Sequence, residues 1–340
     1  MNYLITGGAG FIGSNYADRL LRRGERVTIF DNLSRAGAEK NLDWLIENHS
    51  KEKLAFIHGD INDLEALENA ANNQQVIIHL AAQVAVTTSV EDPQSDFESN
   101  ARGTLNVLEV ARSQKDKPIV IYASTNKVYG ELKDLDVVEL ETRYVLKDMP
   151  YGIDEARCLD FHSPYGCSKG AGDQYARDYF RIYGIPTVVF RQSCIYGPRQ
   201  FGIEDQGWVA WFIIAALKNQ PITIYGNGKQ IRDLLYIDDL LDAYDLAIEN
   251  INQCRGEIFN IGGGIENAIS IWIEFSKILE NLMGRQIRVE HKKWRPGDQK
   301  AYITNISKIK ERLDWTPKIG VEEGIYRLYE WMKENISLFA

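Results

Sequence analysis

The chain has 340 residues, a composition ordinary for a folded enzyme and a formal charge of -9, long enough for one large or two medium domains with a sizeable core. The acidic balance argues against a nucleic-acid-binding surface and an anionic membrane surface, and no apolar run is long enough to span a bilayer. Cys158, Cys167, Cys194 and Cys254 show neither paired nor metal-like spacing, so no metal site is expected and the four read as packing thiols in a reducing compartment. The first residues run directly into a strand with no charged-then-apolar leader, so a cytoplasmic protein is expected.

In chain order, residues 3–6 read as a short apolar strand ending in Gly7-Gly8-Ala9-Gly10-Phe11-Ile12-Gly13, with an amphipathic helix following to about Arg23. Glycines 8, 10 and 13 fit the dinucleotide fingerprint, and Gly7, Gly10 and Gly13 fit a related spacing. Such a turn is tight, lets backbone approach a pyrophosphate and points a helix N-terminus at its charge, so Gly7, Gly10, Phe11, Ile12 and Gly13 are candidate cofactor contacts. A second strand, 26–30, delivers Asp31, 18 residues past Gly13. A carboxylate there accepts from both ribose hydroxyls and repels a 2′-phosphate, which favours NAD over NADP. Arg35 stands close enough in sequence to serve a 2′-phosphate, and Asn32 and Ser34 are further polar candidates.

A third strand, 54–58, leads to Asp60 and Ile61; Asp60 suits either an adenine amine or the cap of the next helix. A fourth, 76–80, ends at Leu80-Ala81-Ala82-Gln83, whose small side chains let backbone pass close to a cofactor. Residues 92–113 read as one long helix carrying Asn100, and 119–123 as a fifth strand running into Ser124-Thr125-Asn126-Lys127-Val128-Tyr129-Gly130. Strands alternating with helices at this spacing imply a doubly wound parallel α/β sheet, with ligands at the carboxyl ends of the strands, where every motif so far lies.

Ser163-Pro164-Tyr165-Gly166-Cys167-Ser168-Lys169 reads as a helix start, with Ser163 as cap and Pro164 in the first turn. Tyr165 and Lys169 then share one face. A phenol has a pKa of about 10, and an adjacent ammonium favours the phenolate. A tyrosine so tuned can take a proton from a hydroxyl while hydride leaves the same carbon, and a hydroxyl at Ser124 or Thr125 would assist it. By spacing alone the pair is equally a surface i,i+4 contact; the surrounding motifs favour the catalytic reading.

The combination of the glycine turn, Asp31-Asn32-Leu33, His79-Leu80-Ala81-Ala82, Val128-Tyr129-Gly130, Tyr165-x-x-x-Lys169 and Tyr196-Gly197-Pro198-Arg199 resembles the extended short-chain dehydrogenase/reductase family of nucleotide-sugar epimerases and dehydratases over nearly the whole chain. The resemblance implies a Rossmann-type fold, NAD as cofactor, Thr125 as the catalytic hydroxyl, Tyr165 as acid/base, and Lys169 as anchor of the nicotinamide ribose. Asn126 and Lys127 stand where the dehydratases of that family carry an Asp-Glu pair, so the acid and base for eliminating water are missing. Longer stretches (residues 31–35, 124–130, 159–170 and 205–209) resemble the branch whose members invert C2 of a CDP-linked hexose. A UDP-hexose 4-epimerase and a non-catalytic NAD-binding regulatory module remain alternatives here, the latter disfavoured by the intact Thr125, Tyr165 and Lys169.

A sixth strand, 186–191, precedes Gln192; a helix is expected over 207–218 and a strand over 222–225. Residues 1–192, with returning segments near 230–265, are assigned to the NAD domain, and 193–229 and 266–340 to a smaller, discontinuous substrate domain. Arg199, Arg232 and Arg295 are candidate ligands of the substrate diphosphate because the guanidinium fork donates two bonds at once. The resemblance places Arg232-Asp233 and Arg295-Pro296-Gly297-Asp298 there, with Asp298 included. Asn126, Gln192, Gln206 and Tyr225 complete the substrate candidates, and Phe201, Trp208 and Tyr225 suit either base stacking or the core. The resemblance also implies a homodimer built on helices near 92–113 and 163–183.

Overall fold

The computed structural model describes residues 1–295 and 298–339. Pro296 and Gly297 of the predicted Arg-x-Gly-Asp stretch lie outside the described residues.

Seven strands form the main sheet: β1 (Asn2–Thr6), β2 (Arg26–Asp31), β3 (Leu54–His58), β4 (Val76–His79), β5 (Ile119–Thr125), β6 (Thr187–Gln192) and β7 (Ile258–Ile261). Their spatial order is β3-β2-β1-β4-β5-β6-β7. β1 pairs in parallel with both β2 and β4, with Thr6 opposite Phe30 on one side and His79 on the other. The chain therefore reverses its winding between β1 and β4, the place where a doubly wound sheet opens a crevice beyond its strand ends. β1 and β4 are almost wholly buried and rich in Val, Ile and Leu, because a parallel sheet is covered by helices on both faces.

By compactness the chain divides into two units, one of Met1–Val128, Ser163–Arg191 and Ala243–Phe259, the other of Tyr129–His162, Gln192–Asp242 and Asn260–Ala340. In the first, Leu4, Phe30, Leu67, Ile77, Val107, Val120 and Val189 pack one core beneath the sheet. The second holds small sheets, among them the three-stranded one in which Ile231–Asp233 pairs antiparallel with Ala268–Ser270 and parallel with Ala301–Tyr302.

Three expectations need correction. The predicted helix over 92–113 is three pieces: Pro93–Phe97, a π-turn Glu98–Arg102, and Gly103–Ser113. The strand over 119–123 continues to Thr125, so the Ser-Thr pair is the strand end itself. Finally, Cys158 and Cys167 are exposed and only Cys254 is fully buried, so the thiols are not uniformly packing residues. Among the described residues no helix is long and apolar enough to cross a membrane, and no group of His, Cys, Asp and Glu has metal-holding geometry.

Candidate active site

The glycine turn joins β1 to the helix Phe11–Arg22. Its first peptide is fixed by Gly7 N–H donating to the Phe30 carbonyl at 2.8 Å. A Cβ on Gly7, which has φ +70°, would sit 2.7 Å from the Ala81 nitrogen, and one on Gly13 would sit 2.5 Å from the Gly7 carbonyl oxygen. The turn thus presses backbone against the end of β4 with room for hydrogen only. The helix begins at Gly10 with no side-chain cap, which leaves its first N–H groups directed at whatever occupies the turn.

Asp31 closes β2. One of its carboxylate oxygens accepts from Ala9 N–H at 3.0 Å and the other from Leu33 N–H at 2.8 Å. Burial pushes this carboxyl up from its ordinary range, and the two backbone donors oppose that. A carboxylate has about four acceptor positions, so two remain for a diol. Asn41, which the sequence reading missed, donates to the Ala9 carbonyl at 3.2 Å and braces the same turn. Ser34 N–H bonds the Asn32 side chain at 3.1 Å, and the Asn32 amide bonds Asp60 at 2.9 Å. Asp60 also accepts from Asn62 N–H at 2.9 Å, whereas the helix Leu64–Ala71 is capped by Asp63, so Asp60 is not a helix cap. The Ile61 side chain belongs to the core and its carbonyl accepts from Asn106 at 3.1 Å. The Arg35 charge acts on Tyr165, and burial draws the guanidinium down from its ordinary range.

At the end of β4, Leu80 N–H bonds the Thr6 carbonyl at 3.0 Å and leads into Ala81, Ala82 and Gln83. The Gln83 side chain closes its own loop through two 2.7 Å bonds with Ala85. Asn100, in the π-turn, donates to the Gln83 carbonyl and to Asp96 at 3.0 Å each and to Ser168 at 3.2 Å, while its Oδ1 is buried with no partner. Widened turns of this kind recur at functional sites. His79, also missed, is fully buried between the Thr6 and Thr104 hydroxyls at 2.8 and 3.0 Å. Burial and the Lys169 charge push it down to about 3, so it stays a neutral imidazole.

The helix Ser163–Tyr183 begins as expected, with the Ser163 hydroxyl accepting from Gly166 N–H at 3.3 Å. Tyr165 and Lys169 are both buried. Burial pushes the Tyr165 phenol up to about 12, the Asp96 charge adds to this, and the Thr125 side chain and the Arg35 charge pull it down. Burial draws the Lys169 ammonium down to about 7 against Asp173 and Asp96. Its Nζ lies 4.5 Å from the centre of the Tyr122 ring and makes no hydrogen bond among the described residues, so its donors are available. Thr125 Oγ accepts from Lys127 N–H at 3.2 Å and lies 3.4 Å from the Asn126 side-chain oxygen. Ser124 is different: its hydroxyl is committed to Asp173 at 2.7 Å, and Asp173 is paired with Arg191 through two 2.9 Å bonds. Its side chain therefore faces a buried ion pair.

An NAD molecule fits these residues. The turn admits backbone contact alone, Asp31 keeps free acceptor capacity, and the unpartnered Asn100 Oδ1 and Lys169 Nζ are a buried acceptor and donor awaiting partners.

The substrate candidates lie in the second unit. Arg232 is pinned by bonds to the Ile231 and Gln299 carbonyls at 2.8 Å each and to Asp298 at 3.3 Å. Arg295 pairs with Asp205 at 3.0 Å and lies 3.8 Å from the centre of the Tyr225 ring, whose hydroxyl donates to Glu204 at 3.0 Å. Gln206 exchanges two backbone bonds with Ile203 in a tight turn. Gln192 ends β6. Arg199 is buried with its guanidinium 5.8 Å from the Trp331 ring. Trp208 packs on Phe212 and Phe275, and Phe201 on Phe339, and both stay partly exposed.

A Rossmann sheet with its glycine turn, an acidic β2 end and a Tyr-x-x-x-Lys helix defines a short-chain dehydrogenase/reductase. The family described as GDP-mannose 4,6 dehydratase matches residues 4–328, and the chain belongs to this extended short-chain dehydrogenase/reductase family of nucleotide-sugar epimerases and dehydratases. It is 47% identical over 339 residues to CDP-paratose 2-epimerase of Salmonella typhi, covering 97% of this chain and 99% of that one. Among solved structures, UDP-glucuronic acid 4-epimerase from Bacillus cereus in complex with UDP-glucuronic acid and NAD superposes with a TM-score of 0.84 at 30% identity, covering 98% of this chain and all of that one. UDP-glucose 4-epimerase from Thermotoga maritima with UDP-glucose gives 0.82 at 32%, covering 99% and 100%. The chain is an NAD-dependent enzyme of the nucleotide-sugar epimerase class.

Proposed function

We propose that this enzyme inverts C2 of a CDP-linked 3,6-dideoxyhexose, interconverting CDP-paratose and CDP-tyvelose through a transient 2-keto sugar. The observation that carries the reading is the 47% identity, over almost the full length of both chains, to an enzyme of that activity. Asn126 and Lys127 support it, since neither supplies the carboxylic acid/base that elimination requires.

NAD, when bound, supplies the hydride acceptor and donor. The first unit holds it: Gly7, Gly10, Phe11, Ile12 and Gly13 face the pyrophosphate with backbone, Asp31 takes the adenosine ribose diol, Asn32, Ser34 and Asp60 lie toward the adenine end, and Leu80, Ala81, Ala82 and Asn100 border the ring end. Lys169 donates to the nicotinamide ribose and its charge favours the Tyr165 phenolate. Tyr165 takes the proton of the C2 hydroxyl and returns it, while Thr125 donates to the same oxygen. The second unit binds the nucleotide: Arg232 and Arg295 with Asp298 hold the diphosphate, and Tyr225 and Gln206 take the base or ribose. Firm hold on the diphosphate and loose hold on the sugar is what presentation of both faces of C2 demands.

The test is proton NMR of purified protein with CDP-paratose and, separately, UDP-glucose, with no NAD added. Appearance of the C2 epimer is expected, and it also reports retained cofactor. A C4 epimer from UDP-glucose with CDP-paratose untouched would overturn the C2 reading in favour of the 4-epimerase.

The enzyme is also a cytoplasmic homodimer in this reading. Phe97 (56% exposed) and, on the helix Ser163–Tyr183, Ile182 (65% exposed) present apolar surface of the kind a second copy covers. Light scattering should give twice the 38.8 kDa chain mass, and Phe97→Glu with Ile182→Glu should give the monomer. A wild-type monomer at micromolar concentration would refute the dimer.

A further inference from the structure

One carboxylate in the first unit has no assigned task. Asp96 is 1% exposed, yet it has no ion pair within 4 Å among the described residues. It is held instead by neutral donors: Ser168 Oγ at 2.5 Å and Asn100 Nδ2 at 3.0 Å. Ser168 immediately precedes Lys169, and its hydroxyl also lies 3.2 Å from the Tyr165 carbonyl, so Asp96 grips the turn of helix that separates tyrosine from lysine. The other buried anion near Lys169, Asp173, is already balanced by Arg191. A buried carboxylate left without a cation is costly, and so is a buried ammonium left without an anion. Asp173 acts on Lys169 more strongly than Asp96 but is shared with Arg191, which leaves Asp96 as the nearby anion with no cation of its own.

We infer that Asp96 is a positioning residue: clamped by Ser168 and Asn100, it supplies the counter-charge that keeps Lys169 an ammonium beside Tyr165. The charged and titratable groups facing the cluster are Lys169, Tyr165 and Asp173 from the helix Ser163–Tyr183, Arg35 acting on Tyr165, neutral His79 from β4, and Tyr122 from β5, whose phenol burial holds in the neutral form. The inference deepens the proposed mechanism and rests on Lys169 serving Tyr165 as described above. Without Asp96 the Lys169 ammonium would lose its one unbalanced anion and deprotonate at lower pH.

The test reads Lys169 directly, with no sugar present. Protein carrying [13Cε]-lysine is titrated by NMR, with the Lys169 resonance identified by its disappearance in Lys169→Arg. Asp96→Asn keeps the shape and removes the charge; the Lys169 midpoint should fall by about one pH unit, a tenfold loss of ammonium in the affected range. Asp96→Glu should restore it toward wild type. In turnover, the alkaline limb of kcat for Asp96→Asn should move the same way while KM for the sugar nucleotide is unchanged. An unmoved midpoint in Asp96→Asn, or Glu and Asn variants that shift alike, would overturn the inference and leave Asp96 a purely structural clamp. If Asp96→Asn does not fold, Ser168→Ala carries the test: loss of the donor weakens the carboxylate anion, and the midpoint should again fall, an unchanged value again refuting it. The titration is independent of which sugar is the substrate, so it stands or falls separately from the C2 assignment.

Discussion

Tyr165→Phe should lower kcat about 10³-fold and leave bound NAD in place. A positioned acid/base contributes about 10²–10⁴-fold, so removing one phenolic oxygen raises the barrier by roughly 4 kcal/mol. The neighbours offer no substitute. His79 is neutral and locked between two threonines, and Asp173 is bound to Arg191. Burial pushes the phenol up to about 12, against the Thr125 side chain and the Arg35 charge. The Lys169 ammonium and the cofactor charge must therefore complete the tuning in the loaded enzyme. The dinucleotide contacts proposed above lie on the glycine turn, β2, the end of β4, Asn100 and Lys169, none of which the substitution alters, so cofactor content by absorbance after denaturation should equal wild type. A variant that keeps more than a tenth of the wild-type rate would remove Tyr165 from the mechanism.

Gly13→Ala should abolish retained NAD and lower Tm by about 3 °C. The added Cβ meets the Gly7 carbonyl oxygen at 2.5 Å and Gly8 Cα at 2.6 Å. Both are backbone atoms of one turn, so no side chain can rotate aside and the turn itself must open. Overpacking of this kind costs about 1–3 kcal/mol, and at about 2.1 cal/mol/K of unfolding entropy per residue a 340-residue chain loses roughly 1.4 °C per kcal/mol. The loss of cofactor is larger than the loss of stability because the opened turn is the pyrophosphate cradle. Gly320→Ala is the control: it precedes the helix Val321–Glu334 at φ −71°, and its Cβ would meet nothing within 4 Å. Calorimetry and cofactor content on the two variants check this. Wild-type NAD content in Gly13→Ala would show that the turn does not hold the pyrophosphate.

Much of the first unit was legible in the sequence, because its signals are local. The glycine turn, the acidic end of β2 and the small residues after β4 each sit within a few residues of a strand end, and a parallel sheet places all strand ends on one edge. The i,i+4 spacing of Tyr165 and Lys169 likewise follows from helix geometry alone. The second unit was less legible. Arg199, Phe201 and Trp208 look the same in sequence whatever they meet, and only the structure shows their neighbours, Trp331, Phe339 and Phe275.

The sequence by itself determined the chemistry on offer: a dinucleotide turn, a carboxylate selecting NAD, a tyrosine with its lysine, and no acid/base pair for elimination. These depend on residues close together along the chain, where covalent geometry sets the distances. Only the tertiary structure decided how the charges are balanced. Ser124 reaches Asp173, 49 residues on, Ser168 reaches Asp96, 72 residues back, and the π-turn that aims Asn100 interrupts what periodicity reads as one helix. Such pairings form because burial forces each charge and polar atom to find a partner, and which partner lies within reach is set by packing, not by order along the chain.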